Sequence, residues 1–296
     1  MLEDVKVLLN RFIDDLEDSK SKELFAALPQ GKMLRSKLIL QISPTKEAVF
    51  LAAVVEMIHA ASLLHDDVID EANTRRGVDS INAVYGNKNA IMFGDILYSK
   101  AFFELTSLPS PIPRIVSQAV TKLSLGELLD VELGKSFNPD RDAYLDMIYK
   151  KTASLIEASA KSAAVLAGKD EERYGYYGKK LGVAFQIVDD ILDITADEKS
   201  LGKPALHDFK EGKTTLPYIY LYESLDDEGK KRVEKLHGRN LTNSDKEWLL
   251  EMFQKSGALE RSKDFAAKTA YEGLEVLDKK DEKLRAILSA LIDRRY

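Results

Sequence analysis

Six aspartates fall into two copies of one spacing: Asp66, Asp67 and Asp70, then Asp189, Asp190 and Asp193. On a helix, residues four apart lie one above the other. Asp66 therefore shares a face with Asp70, and Asp189 with Asp193, while Asp67 and Asp190 point about 100° away. Like charges this close repel by about 4 kcal/mol at 4 Å for an effective dielectric near 20, a cost that a bound cation removes. Hard carboxylate oxygens in a chain with no cysteine suit Mg²⁺ completed by water and phosphate oxygens. A solvated helix end would explain one such motif. Two copies, each behind a helix-length apolar run ("ASLLHDDVIDEA", 61–72, and "FQIVDDILDITA", 185–196), point to a metal site instead. An EF-hand is excluded, because the alternating Asp spacing, central Gly and terminal Glu of that loop are missing.

Basic residues gather at Lys32/Arg35, Arg75/Arg76, Lys150/Lys151 and Lys203/Lys213, each near glycine, threonine or the aspartates. A pyrophosphate bridging metal ions needs such donors around its remaining oxygens. The net charge of −6 argues against nucleic acid, whose binding needs a basic face. The absence of cysteine rules out disulfides and thiolate catalysis and fits a reducing compartment, so a cytoplasmic location is expected. The N-terminus lacks the basic start and apolar centre of a secretory signal and reads as an amphipathic helix. Ala48 to Leu64 is nearly apolar enough for a membrane span, but Glu56 and His59 interrupt it, so a helix buried within protein, and no transmembrane segment, is expected.

Holding these residues requires long helices. Apolar residues recur every three or four positions over 46–69, 89–105, 112–133, 143–167, 173–194 and 281–292, and no convincing strand alternation occurs. Short Gly/Pro-rich connections separate them, including "RRGVDS" (75–80) and "LGKPALHDFKEGKTTLP" (201–217), with no linker that would divide domains. The expectation is one all-α domain over 1–296.

Together the segments "GKMLRS" (31–36), "EMIHAASLLHDDVIDEANTRRG" (56–77), "GD" (94–95), "LSLGELLD" (123–130), "KTASLIEAS" (151–159), "GVAFQIVDDILDITAD" (182–197) and "GKPALHDFKEGKTTLP" (202–217) resemble the trans-prenyl diphosphate synthases. The resemblance covers nearly the whole chain. It implies a single large helical bundle of the isoprenoid synthase type with a central active-site cavity, and a homodimer. It implies head-to-tail condensation of isopentenyl diphosphate with an allylic diphosphate. By position, Asp66, Asp70 and Asp189 would ligate three Mg²⁺ ions, with Asp190 and Asp193 acting mainly through metal-bound water. Lys32, Arg35, His59 and Arg76 would hold isopentenyl diphosphate. Arg75, Lys151, Lys203 and Lys213 would hold the allylic diphosphate, with Thr152 and Gln186 aiming oxygen dipoles at its reacting carbon. No separate catalytic base is apparent, and the departing pyrophosphate would take the proton. Two positions depart from the family pattern: Met33 replaces the usual basic residue after Gly-Lys, and Leu206 replaces a common glycine.

In that family an aromatic residue four or five positions before the first aspartate stops the product at short lengths. Ser62 and Ala61 stand there, about one turn or ~5.4 Å below the metal, and no two extra residues interrupt the first motif. Small residues leave the tunnel open and predict a long product, hexaprenyl to decaprenyl and near octaprenyl, from a farnesyl or geranylgeranyl starter. The alternatives are a shorter-chain synthase, with a bulky residue such as Met57 or Ile58 as floor, and a non-catalytic subunit of a heteromeric synthase. A class I terpene cyclase would carry a different second metal motif. A phosphohydrolase of the HD type, suggested by His59 and the His65-Asp66 pair, would find its ligand set hard to complete from four histidines and would leave the second aspartate motif without a role.

Overall fold

In the computed structural model, which describes residues 1–195 and 206–292, the chain runs through α1 (Leu2–Asp14), α2 (Ser19–Ala27), α3 (Leu34–Ile42) and α4 (Lys46–Ile69). The hairpin β1 (Thr74–Arg75) and β2 (Val78–Asp79) follows, then α5 (Ile81–Tyr85), α6 (Asn87–Leu105), α7 (Ile112–Leu133) and α8 (Arg141–Ile148). A π-helical turn (Tyr149–Ala153) leads into α9 (Ser154–Leu166) and α10 (Glu171–Thr195). Beyond residue 205 come α11 (His207–Lys210), α12 (Leu216–Ser224), α13 (Asp227–Leu236), α14 (Asn243–Ser256), α15 (Ala258–Glu275) and α16 (Glu282–Ile292). Contacts gather these elements into two units that interleave in sequence, Met1–Val120 with Leu155–Gly175 and Thr121–Ser154 with Tyr176–Tyr296.

The first unit is built around α4. Thr45 caps it by accepting the Ala48 N–H at 3.2 Å, and Glu47 sits in the first turn, where the helix dipole favours an acid. Its run of Leu51, Ala52, Ala53, Val54 and Val55 is fully buried, with α1, α3 and α6 packed against it. By length and composition this helix could cross a membrane; here its apolar surface is buried against its neighbours. Each buried Val, Leu or Ile contributes roughly 1.5–3 kcal/mol, so the segment ahead of Asp66 is firmly anchored.

The end of α4 was not legible as a strand pair. Thr74 pairs with Asp79 and Arg75 with Val78, joined by Arg76 (φ 55°) and Gly77 (φ 78°). Two left-handed central residues make the type I′ turn that suits the strand twist; the pairing is too short for alternation to reveal it.

The second unit centres on an aromatic stack, with Phe209 on Tyr218 at 4.3 Å between ring centres and Phe253 edge-on to Tyr218 at 5.0 Å. The helix predicted over 143–167 is interrupted by the π-turn at 149–153, which carries Lys150, Lys151 and Thr152. Gly126 of α7 faces this turn: a Cβ there would lie 2.2 Å from the Lys151 nitrogen, so only glycine permits the backbone contact.

Candidate active site

In the first unit Asp66 and Asp70 are half-buried at the end of α4, whereas Asp67 is buried. Asp67 Oδ1 accepts from Arg75 Nε at 2.6 Å, and its carbonyl accepts from Asn82 Nδ2 at 3.1 Å. The next arginine, Arg76, donates through Nη1 to the Pro29 carbonyl at 2.9 Å, and Gly31 leaves room for that guanidinium. Half-buried His59 lies in the field of Arg35, Arg76 and Arg75. Desolvation first, then those three positive charges, hold its imidazole well below the ordinary value, so it is neutral near pH 7. Arg35 is balanced by Glu56, whose Oε1 also accepts from the Ser36 N–H at 3.2 Å and Ser36 Oγ at 2.7 Å. The buried Arg35 Nε has no hydrogen-bond partner among the described residues. Lys32 is exposed on the loop before α3. Met33, at the cap of α3, takes a left-handed φ of 49°.

Ala61 is fully buried with Ile13, Leu24, Leu64, Phe93 and Leu97. Ser62 is buried and donates through Oγ to the His59 carbonyl at 2.9 Å. Gly94 leaves room for His65, whose Nε2 would sit 2.4 Å from a Cβ there. The same nitrogen lies 3.4 Å from Asp95 Oδ1, so each residue of the Gly-Asp pair has a structural task.

In the second unit the aspartates of α10 diverge. Asp189 is exposed, while Asp190 and Asp193 are buried. Asp190 accepts from Tyr144 Oη and from Gln186 Nε2, the latter at 2.9 Å, and Gln186 Oε1 accepts from Thr152 Oγ1 at 2.8 Å. Burial, then the nearby charge of Asp208, raises the Asp190 carboxyl well above the usual carboxylate range. Asp193 accepts the Asp208 N–H at 3.2 Å, and its carbonyl accepts the Leu206 N–H at 2.9 Å. Leu206 is left-handed (φ 63°), the conformation glycine adopts most easily. Lys151 Nζ lies 2.7 Å from Glu127 Oε2 and 2.5 Å from Asp130 Oδ2. Lys213 pairs with Glu211 at 2.9 Å, and Lys203 lies outside the described residues.

The structure therefore brings Arg35, His59, Arg75 and Arg76 together in one unit, and Thr152, Gln186 and Asp190 together in the other. Sequence reasoning gave no role to Glu56, Glu127, Asp130 or Tyr144. Glu127 and Asp130 carried a usable signal, since their i, i+3 spacing in "GELLD" puts two acids on one face, where a lysine partner is to be expected. Among the described residues no three Asp, Glu or His side chains form a ready-made cage. The half-buried Asp66 and Asp70 offer hard carboxylate oxygens of the kind Mg²⁺ takes, one or two at a time, with water and substrate phosphates.

A model of the polyprenyl synthetase family matches residues 20–253. The mitochondrial solanesyl-diphosphate synthase 1 of Oryza sativa subsp. japonica is 39% identical over 252 residues, covering 82% of this chain; the match spans 57% of that protein's length. A short chain isoprenyl diphosphate synthase of Methanocaldococcus jannaschii is 37% identical over 257 residues, 82% of this chain and 77% of its own. The crystal structure of octaprenyl pyrophosphate synthase from Helicobacter pylori superposes with a TM-score of 0.95 at 42% identity, covering 99% of this chain and 98% of that one. The chain belongs to the polyprenyl synthetase family of prenyl-transferring enzymes.

Proposed function

We propose that residues 1–296 act as one catalytic domain that condenses isopentenyl diphosphate head-to-tail with a farnesyl or geranylgeranyl starter, giving a long all-trans polyprenyl diphosphate near octaprenyl. The observation that carries this reading is the first-unit cluster of Arg35, His59, Arg75 and Arg76, with His59 on the helix whose end carries the half-buried Asp66 and Asp70. Clustered guanidiniums with one buried Nε lacking a partner suit a polyanion.

Asp66, Asp70 and Asp189 would hold up to three magnesium ions, with Asp190 and Asp193 in support. Bound magnesium supplies Lewis-acid neutralisation of charge on the leaving diphosphate. Lys32, Arg35, His59 and Arg76 hold isopentenyl diphosphate, His59 as a neutral donor. Arg75, Lys151, Lys203 and Lys213 hold the allylic diphosphate, and Thr152 and Gln186 face its first carbon. The allylic C–O bond breaks, the isopentenyl double bond attacks that carbon, and a proton leaves to the released pyrophosphate. Arg75 and Lys151 are paired with carboxylates here, so the diphosphate has to compete for their donors.

Exposed apolar residues favour a homodimer: Ile91, Met92 and Phe103 on α6, and Leu125, Leu128 and Val131 on α7, the last three spaced on one helical stripe. A cytoplasmic location fits the cysteine-free composition. A shorter product is the second reading, favoured by the similarity to the archaeal short-chain enzyme.

The test is incubation of the purified protein with Mg²⁺, labelled isopentenyl diphosphate and farnesyl diphosphate, with chromatographic sizing of the dephosphorylated products. Products of six or more isoprene units are expected. Arrest at four units would favour the shorter-chain reading, and no incorporation would favour a non-catalytic subunit.

A further inference from the structure

Tyr144, Asp190, Gln186 and Thr152 form one unbroken hydrogen-bond chain whose direction is set from one end. Tyr144, on α8 and 2% exposed, takes the Leu216 backbone N–H on its oxygen. That N–H belongs to the first turn of α12, where no acceptor exists inside the helix. The phenol proton is then directed to Asp190 Oδ2. The other carboxylate oxygen, Oδ1, accepts from Gln186 Nε2 at 2.9 Å. With Oδ2 taken by the phenol and Oδ1 by Gln186 Nε2, the Gln186 amide stands with its NH₂ to Asp190 and its oxygen away. That oxygen accepts the Thr152 hydroxyl at 2.8 Å. The Thr152 proton is thereby consumed within the chain, and in other directions Thr152 offers lone pairs. With the amide reversed, Thr152 would accept from NH₂ and turn its O–H outward.

We infer that Tyr144 is a positioning residue: by holding Asp190 it fixes the Gln186 amide, so that Thr152 presents oxygen lone pairs to the carbon that becomes electron-poor. The inference rests on the proposed function, which sets Thr152 and Gln186 against the allylic carbon. An oriented oxygen dipole stabilises developing positive charge, whereas an O–H pointed at it opposes the reaction. The π-turn contributes as well, because such bulges fix side chains at positions a regular helix does not offer, and Thr152 lies within one. The second aspartate of the α10 motif thus serves the protein's own polar chain through both of its oxygens.

The test combines kinetics with a probe of the amide itself. Tyr144→Phe keeps the ring and removes the hydroxyl; kcat is expected to fall about tenfold or more with both KM values within about threefold, the mark of an interaction used in the transition state. In a double-mutant cycle with Thr152→Val, the double variant should lose no more than the worse single, whereas multiplicative losses would overturn the inference. Selective ¹⁵N-glutamine labelling reads the chain without activity. The Gln186 side-chain amide should give a resolved, exchange-protected pair that Tyr144→Phe broadens or collapses, and an unchanged pair would overturn the inference. If the wild type incorporates no isopentenyl diphosphate, the proposed function fails while the amide signal still decides the chain. If Tyr144→Phe does not fold, Gln186→Leu with Thr152→Val carries the cycle one link further: equal, non-additive losses support the chain and additive losses overturn it.

Discussion

Asp67 Oδ1 lies 2.6 Å from both Nε and Nη2 of Arg75, so the middle aspartate of the first motif ties the hairpin back to the end of α4. The three aspartates of that motif therefore divide their work. Asp66 and Asp70 remain half-buried on the face one turn apart, and Asp67 is turned inward with a guanidinium on it. A hydrogen bond to a charged group contributes roughly 1.5–3 kcal/mol. Asp67→Ala is expected to lower unfolding free energy by about that amount in urea titrations. In an Arg75→Ala background the same substitution should cost measurably less, since the stranded charge is gone; equal costs would mean the pair is not coupled.

Gly126→Ala should be among the more damaging glycine substitutions. The added Cβ would meet the Lys151 nitrogen at 2.2 Å, and backbone cannot swing aside as a side chain can. Relief requires α7 and the π-turn to separate, so a loss at the upper end of the roughly 1–3 kcal/mol typical of overpacking is expected. The shift would also move Lys151 and Thr152, so activity should fall with stability. Gly94→Ala meets first the far end of the His65 ring, a side chain that can swing aside, and is the milder control, at about 1 kcal/mol. Thermal melts of the two variants side by side decide the ranking.

Much of the helical frame was readable because its apolar residues repeat at helical spacing. The expected 46–69, 112–133 and 281–292 correspond to Lys46–Ile69, Ile112–Leu133 and Glu282–Ile292. The helix Leu216–Ser224 gave no such signal, because its first six residues are all buried and no polar face marks a period. Asp227–Leu236 failed for the opposite reason, with Val233 its one buried residue. At the site, the aspartates and arginines were legible from charge and spacing. The partners that restrain them were not: Tyr144 lies 46 residues from Asp190, and nothing local in the sequence joins them.

Glu211 provides a pH signature. Although partial burial works against it, hydrogen bonding from His207 and the charge of Lys213 hold its carboxyl down to about 2, below its ordinary value of 4.5. A carboxylate depressed in the folded state contributes stability that is fully present above the unfolded value and is lost as pH falls through the folded one. Thermal stability should therefore decline between about pH 4.5 and pH 2 through this group. Glu211→Gln should flatten that part of the profile while leaving the curve above pH 6 parallel to the wild type. A variant that declines as steeply as the wild type would show that other groups cause the decline.

Leu206 sets two effects against each other. Its left-handed backbone costs roughly 1–2 kcal/mol for a residue with a Cβ, which glycine would recover. Its side chain is 1% exposed, and removing a buried leucine forfeits transfer energy and leaves a cavity, roughly 2–5 kcal/mol. Burial outweighs the backbone strain. Leu206→Gly is expected to destabilise by about 1–3 kcal/mol although it restores the residue common in the family pattern, and a gain in stability would reverse the ranking.

Ala61→Tyr tests product length and packing with one substitution. Ala61 precedes Asp66 by five residues, about 7.5 Å of helix rise, and a tyrosine ring there would fill the space within a turn or so of the acidic motif. If the hydrocarbon descends along α4, the product should shorten to about three or four isoprene units with kcat for the first condensation retained, because a ring at that depth leaves the diphosphate-binding residues untouched. The same ring must also displace Phe93, Leu97 or Leu64, which pack with Ala61, so the melting temperature should drop with the product length. A lower melting temperature with unchanged product length would assign Ala61 to packing alone and send the search for the tunnel floor to Met57 and Ile58, both fully buried one turn further down α4.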